Sequence, residues 1–245
     1  MKKIATILIL LPMLLWAAVP DETMIVAQID DSQSKYYYPN LMARFEMGDT
    51  TLTEGDYHYL YYGYAYQQEY KPLSVNHSMD RLLTLASGLE LDNPIVGQLE
   101  DIIIAGREAL KLDPFNPQIW NLMAYAYGGI GAKQREREAY DRVEKILSAI
   151  DSSGGGVDKG DAKHILMFTH ASDLLSSKGL NPQKARVISR TVEFMPILEP
   201  IDVDGKRVRG YYFDFGRIYW NKPDSVTYKR DRTWQFNNLK PREYR

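Results

Sequence analysis

Residues 56–70, DYHYLYYGYAYQQEY, carry seven tyrosines in little more than the length of one helix. At helical spacing Tyr57, Leu60, Tyr61 and Tyr64 fall on one face, while Tyr59, Tyr62, Tyr66 and Tyr70 fall on another. A helix with two aromatic faces has to be enclosed by neighbours on several sides. Each phenol then needs a partner for its hydroxyl at the edge of the core. The stretch therefore predicts a helix packed inside a larger helical assembly. Thr53 supplies its start, with Asp56 as the third helical residue of a capping box.

A second block, residues 102–150, indicates what surrounds it. Trp120, Met123, Ala124 and Tyr127 follow the tetratricopeptide order of aromatic, large, small and tyrosine, in which the small residue lets paired helices approach closely. Pro114 ends the preceding helix, Ala109 takes the upstream small position, and Tyr140 takes the aromatic position of the second helix. Glu136 departs from the pattern, standing where alanine is usual, which predicts looser packing there. Tyr59, Tyr62, Gly63 and Tyr66 repeat the order and place a helix crossing at Gly63. Trp120 follows Tyr59 by 61 residues, not by the roughly 34 of a regular array, so the pattern is a divergent set of helical hairpins. About five or six helices fit before Ile150 at ordinary helix lengths.

Upstream of Thr53, MIVAQI (24–29) reads as an extended entry, and Pro39 limits the next helix to Asn40–Glu46. Downstream, DSSGGGVDKGD (151–161) reads as a linker or long hairpin loop. AKHILMFTH, ISRTVEFMPIL and RVRGYYFDFGRIYW then predict short strands over 162–220. The fold class expected is α+β: tetratricopeptide-like antiparallel helical hairpins followed by a small antiparallel β-sheet, with a polar tail over 221–245.

The opening MKKIATILILLPMLLWAAVPDE has a basic start, an apolar run from Ile4 to Trp16 and small residues at Ala17 and Ala18, the layout of a cleavable secretory signal over 1–18. The run is short of the roughly 20 residues of a membrane span and is broken by Pro12. With no cysteine, the exported chain must hold together by packing and has no thiol for a lipoprotein anchor. Periplasmic or secreted localisation is the expectation. Removing Lys2 and Lys3 leaves 28 of the 30 basic residues against 32 acidic ones, a net charge of −4.

Catalytic chemistry finds little purchase. There is no nucleophile elbow, zinc-protease helix, phosphate loop or dinucleotide fingerprint, and thiol catalysis is excluded. DVDG (202–205) lacks the later carboxylates of a calcium loop and reads as a turn. His164 and His170, six apart on a predicted strand, would lie roughly 20 Å from each other at strand rise. His58, His77, His164 and His170 each read as structural or surface residues. No cofactor or metal is expected. Asp49, Asp56 and Glu69 flank the tyrosine helix and leave open a small exported hydrolase built on carboxylates. The preferred function is a non-enzymatic binding or scaffold module whose aromatic-lined helical face takes a peptide, protein or glycan.

On that reading Tyr59, Tyr62 and Tyr66 lie inside, while Tyr57, Tyr61 and Tyr64 are candidates to line a groove. The alternative is that all seven tyrosines are core. A second candidate surface is the C-terminal stretch 206–245, with eleven Lys and Arg against four Asp and Glu. There Arg230, Arg232 and Trp234 could touch an anionic glycan or, weakly, a membrane surface; nucleic acid is not expected for an exported chain. The alternative is that Tyr219 and Trp220 close the sheet's core while the cations pair with the acidic helical body.

Taken together, YYYPNLMARFEMGDTTLTEGDYHYLYYGYAYQQEY, the tetratricopeptide-like middle, the glycine-rich break, HILMFTHASDLL and GYYFDFGRIYW resemble a family of exported bacterial proteins classed as a domain of unknown function. The resemblance spans most of residues 30–220. It implies a helical body with C-terminal strands and export in Gram-negative gut anaerobes, and no activity. It also implies an acidic residue after the histidine of FTH, where this chain has Ala171.

Overall fold

The structure, a computed structural model, describes residues 19–90, 94–203 and 205–220. Its helical body runs α1 (Glu22–Asp30), α2 (Tyr38–Met47), α3 (Glu54–Tyr64), α4 (His77–Ser87), α5 (Val96–Leu110), α6 (Pro117–Gly129) and α7 (Lys133–Asp151). Then come β1 (Lys163–His164), α8 (Phe168–Ser177), β2 (Arg186–Val187), β3 (Val192–Val203) and β4 (Lys206–Asp214). The fold is α+β, as expected. The sheet, ordered β1-β4-β3-β2, is mixed and not purely antiparallel, because β1 runs parallel to β4. Among the described residues no helix is long and apolar enough to cross a membrane.

Side-chain capping marks the starts of α1, α3, α4 and α6. Thr53 and Asp56 form the reciprocal box predicted for α3. Asn76 and Asn116 cap α4 and α6. Gly48, at φ 82°, ends α2 in the left-handed region. The expected extended entry is instead α1. Asp21 accepts the Met24 N–H, and Ile25 and Ile29, one turn apart, bury against the body. Burial of that pair outweighs the strand preference of the branched side chains.

The predicted strand AKHILMFTH also divides. Lys163 and His164 pair with β4, whereas Phe168 onward is α8, burying His170, Ala171, Leu174 and Leu175 at three- and four-residue spacing. His164 and His170 therefore do not share a strand.

Helix α3 packs against α1, α2 and α7. A Cβ on Gly63 would lie 3.0 Å from the Tyr38 ring and 3.1 Å from Ile29, so the crossing falls where the repeat order placed it. The phenols carry hydroxyls across to other segments. Tyr62 donates to Ala149 O or His164 O, Tyr64 to Glu69 O or Leu112 O, and Tyr70 to Leu166 O. Each ring fills the core while its hydroxyl satisfies carbonyls at helix ends and in turns.

Helices α5, α6 and α7 pack in succession around the fully buried Ala109, Ala124 and Ala139. The looseness expected at Glu136 is taken up by Gly128, where a Cβ would come within 2.6 Å of the Glu136 carboxylate. Trp120 packs against both of the apolar clusters that make up the core, one around α3 and the sheet, the other between α4, α5 and α6.

The glycine-rich break is a packed structure. Lys163, only 5% exposed, donates to the carbonyls of Asp151 and Gly154 and pairs with the Asp151 carboxylate at 2.9 Å. Its ammonium thus satisfies carbonyls at the C-terminal end of α7, where the helix dipole favours a cation.

Candidate functional site

A groove of about 570 Å³ opens where α2 and the end of α3 face α5, α6 and α7. Trp120 is one of its aromatic walls, with Tyr38, Phe45, Tyr64 and Tyr127. The indole N–H donates to Pro114 O at 2.8 Å, which ties the ring to the turn before α6. Arg142 from α7 lies 4.4 Å over the Trp120 ring and 5.1 Å from the Phe45 ring. Its guanidinium donates to Phe45 O at 2.7 Å and to Glu138 O at 3.4 Å. Burial lowers its pKa from the usual arginine value.

Other walls add polar handles. Arg107 donates to the Tyr127 hydroxyl at 3.3 Å. Tyr38, 6% exposed, lines the groove, and its hydroxyl is buried with no hydrogen-bond partner among the described residues. Burial pushes its pKa well up, so the phenol keeps its proton and remains a donor.

The structure reverses part of the expected tyrosine assignment. Tyr57 and Tyr61 are 1% and 0% exposed and belong to the core, because α7, α8 and the α5–α6 turn close over their face. Tyr64 is buried too, but one side of it lines the groove. Tyr62 lies inside as expected. Tyr59 and Tyr66, expected inside, are half-buried: Tyr59 stacks on Tyr36 at 3.9 Å and Tyr66 meets Trp220 at 5.3 Å. Their side is covered by short α1 and by the approach to the C-terminal segment. Tyr219 and Trp220 are 40% and 39% exposed, so they flank the sheet's core and do not close it. Arg230, Arg232 and Trp234 lie outside the described residues.

Two buried polar clusters escaped sequence reasoning. In the first, the Tyr61 hydroxyl lies 2.7 Å from His170 Nδ1, and His170 Nε2 lies 3.2 Å from Asp113 Oδ2. Asp113 also accepts from Asn116 Nδ2, and the Leu166 N–H donates to Tyr61. Nearby Asp173 is pushed up to about 6, chiefly by burial, with His170 opposing. Ala171, the residue after His170, is fully buried.

In the second cluster Arg217, 4% exposed, bonds His164 Nδ1 at 2.9 Å and Pro20 O at 3.3 Å, with Glu22 at 3.6 Å. Arg217 Nε, His58 Nδ1 and the Tyr66 hydroxyl have no partner among the described residues. Burial, then the Arg217 charge, lowers His164 to about 4. Its four segments, from residues 20–22, α3, β1 and 217–220, are too far apart in sequence for any spacing rule to join them.

The carboxylates beside the tyrosine helix are mostly committed. Asp49 is held to about 2 by the Thr51 and Arg44 hydrogen bonds, and Asp56 serves the α3 cap. Glu69 is exposed on the groove wall. Asp202 accepts the Gly205 N–H, so DVDG is a turn, as expected.

A body of packed helices with a groove across it and a small mixed sheet at its end makes this an α+β protein. Within that class the chain belongs to the family described as a domain of unknown function, DUF4919, whose sequence pattern matches residues 23–223. No curated protein and no solved structure matches it.

Proposed function

We propose that the protein is an exported, non-enzymatic binding module that takes an extended peptide segment of a partner into the groove around Trp120. One observation carries this reading: an open groove of about 570 Å³ pairs aromatic surface with a buried, unpartnered phenol donor at Tyr38. A backbone carbonyl is the complement such a donor lacks, and an extended chain presents one at every residue. Export rests on the signal-like layout of residues 1–18.

Selection of displayed short peptides against the protein tests the reading. Recovered peptides should compete with one another and lose binding to Leu110→Trp, which places an indole at the groove wall. Peptides that bind this variant as well as the parent would overturn it.

A further inference from the structure

The groove carries charges of both signs. Arg107 and Lys111 on and just after α5 line it together with Arg135, Glu138 and Arg142 of α7. Glu46 at the end of α2 and Glu69 after α3 line it beside Tyr38. Lys111 is paired with Glu108, but among the described residues no carboxylate forms an ion pair with Arg107, Arg135 or Arg142.

Arg142 is the telling member. Its guanidinium is buried, and carbonyl oxygens and ring faces hold it in place. Glu138, one turn away, eases its charge through space, but the Glu138 carboxylate is itself bonded by Gln134. A fixed, desolvated cation without a bonded anion costs free energy that a ligand carboxylate can recover. Since its geometry is already set, little ordering remains to oppose that gain.

We propose, building on the peptide reading above, that the groove selects an acidic peptide, seating a side-chain carboxylate against Arg142, Arg107 and Arg135. The Glu46 and Glu69 wall then fixes direction, because a second acidic residue at the Tyr38 end would face like charge. Neutral or basic residues accordingly belong at the Tyr38 end of the bound chain.

The experiment uses three fluorescein-labelled peptides with one apolar frame and Glu, Gln or Lys at the same positions, titrated by fluorescence anisotropy at low and high salt. The Glu peptide should bind about tenfold or more tighter than the Gln peptide, with the advantage shrinking in salt. Arg142 also holds Phe45 O, so the variants are made at the exposed rim. Arg107→Gln with Arg135→Gln should erase the Glu preference, and Arg135→Glu should turn it toward the Lys peptide. Equal, groove-dependent binding of all three peptides would overturn the acidic preference while leaving peptide binding intact. Binding of none, by a protein that melts normally, would overturn both.

Discussion

Tyr61→Phe removes one oxygen from the middle of the molecule, and the geometry says what that oxygen does. The Asp113 carboxylate accepts, so His170 Nε2 carries the hydrogen between them and Nδ1 accepts from the Tyr61 hydroxyl. The same hydroxyl accepts the Leu166 N–H at 3.0 Å. Phenylalanine therefore strands two groups in a region from which His170 and Tyr61, both 0% exposed, exclude solvent. At about 1–3 kcal/mol for each buried group left unpaired, the loss should be about 2–6 kcal/mol.

Two internal controls bracket that figure. Tyr62→Phe removes a donor to Ala149 O or His164 O, and carbonyls tolerate a lost partner better than N–H groups do, so about 0.5–1.5 kcal/mol is expected. Tyr57→Phe leaves its packing against Phe45 and should cost least. Equilibrium urea unfolding reads all three. With a slope of about 2–3 kcal/mol/M for a chain of this size, Tyr61→Phe should lower the midpoint by roughly 1–3 M. Equal midpoints for Tyr61→Phe and Tyr57→Phe, at unchanged slope, would refute the hydrogen-bond reasoning.

Gly63→Leu should lower stability by about 1–3 kcal/mol or more in a thermal melt, because Tyr38 and Ile29 already occupy the space its side chain needs. Trp120→Ala should cost about 3 kcal/mol, near the low end for a tryptophan since the ring is only partly buried, and should abolish groove binding in the anisotropy assay. His164 and Asp173 give opposite pH slopes. The folded pKa of His164, about 4, lies below its ordinary 6.5, so its stability contribution is full above 6.5 and is lost as pH falls toward 4. Asp173, raised from 3.8 to about 6, contributes fully below 3.8 and loses its contribution as pH rises through 6. Unfolding titrations across pH 4–7 should show His164→Gln losing the first slope and Asp173→Asn the second.

The helical body was legible because it is written in local signals: the Thr53 box, the small residues Gly63 and Ala124, and the aromatics spaced around them. Helix α1 was hidden by its Ile25–Val26 pair, although Asp21 as a cap and the Ile25 and Ile29 spacing were available. Likewise Ala171, Leu174 and Leu175 carry the helical period of α8 behind an aromatic, strand-like run. The site was harder to read. Arg142 stands in the charged stretch KQREREAYDRVEK, which has the composition of a solvated face, and only the approach of Phe45 and Trp120 makes it a buried cation. Nor does any short pattern reveal that His164, separated from Arg217 by 53 residues, becomes its hydrogen-bond partner.

The buried relay and the groove meet at one turn. Asp113, held by His170, accepts from Asn116, whose own Oδ1 caps α6 through the Ile119 N–H. Pro114 O, next in sequence, anchors the Trp120 indole, and Phe115 packs at once on Phe45, Tyr61 and Tyr64. The turn from 113 to 116 is thus fixed from the core side by hydrogen bonds and from the groove side by aromatic contact. A ligand seated on Trp120 meets a surface whose position the His170–Asp113 contact has already set. His170→Gln should therefore weaken peptide binding beyond what its stability loss explains, since the unanchored turn must be ordered during binding. Measured well below its melting temperature, native-like affinity in that variant would show that Asn116 and Phe115 hold the turn without the relay.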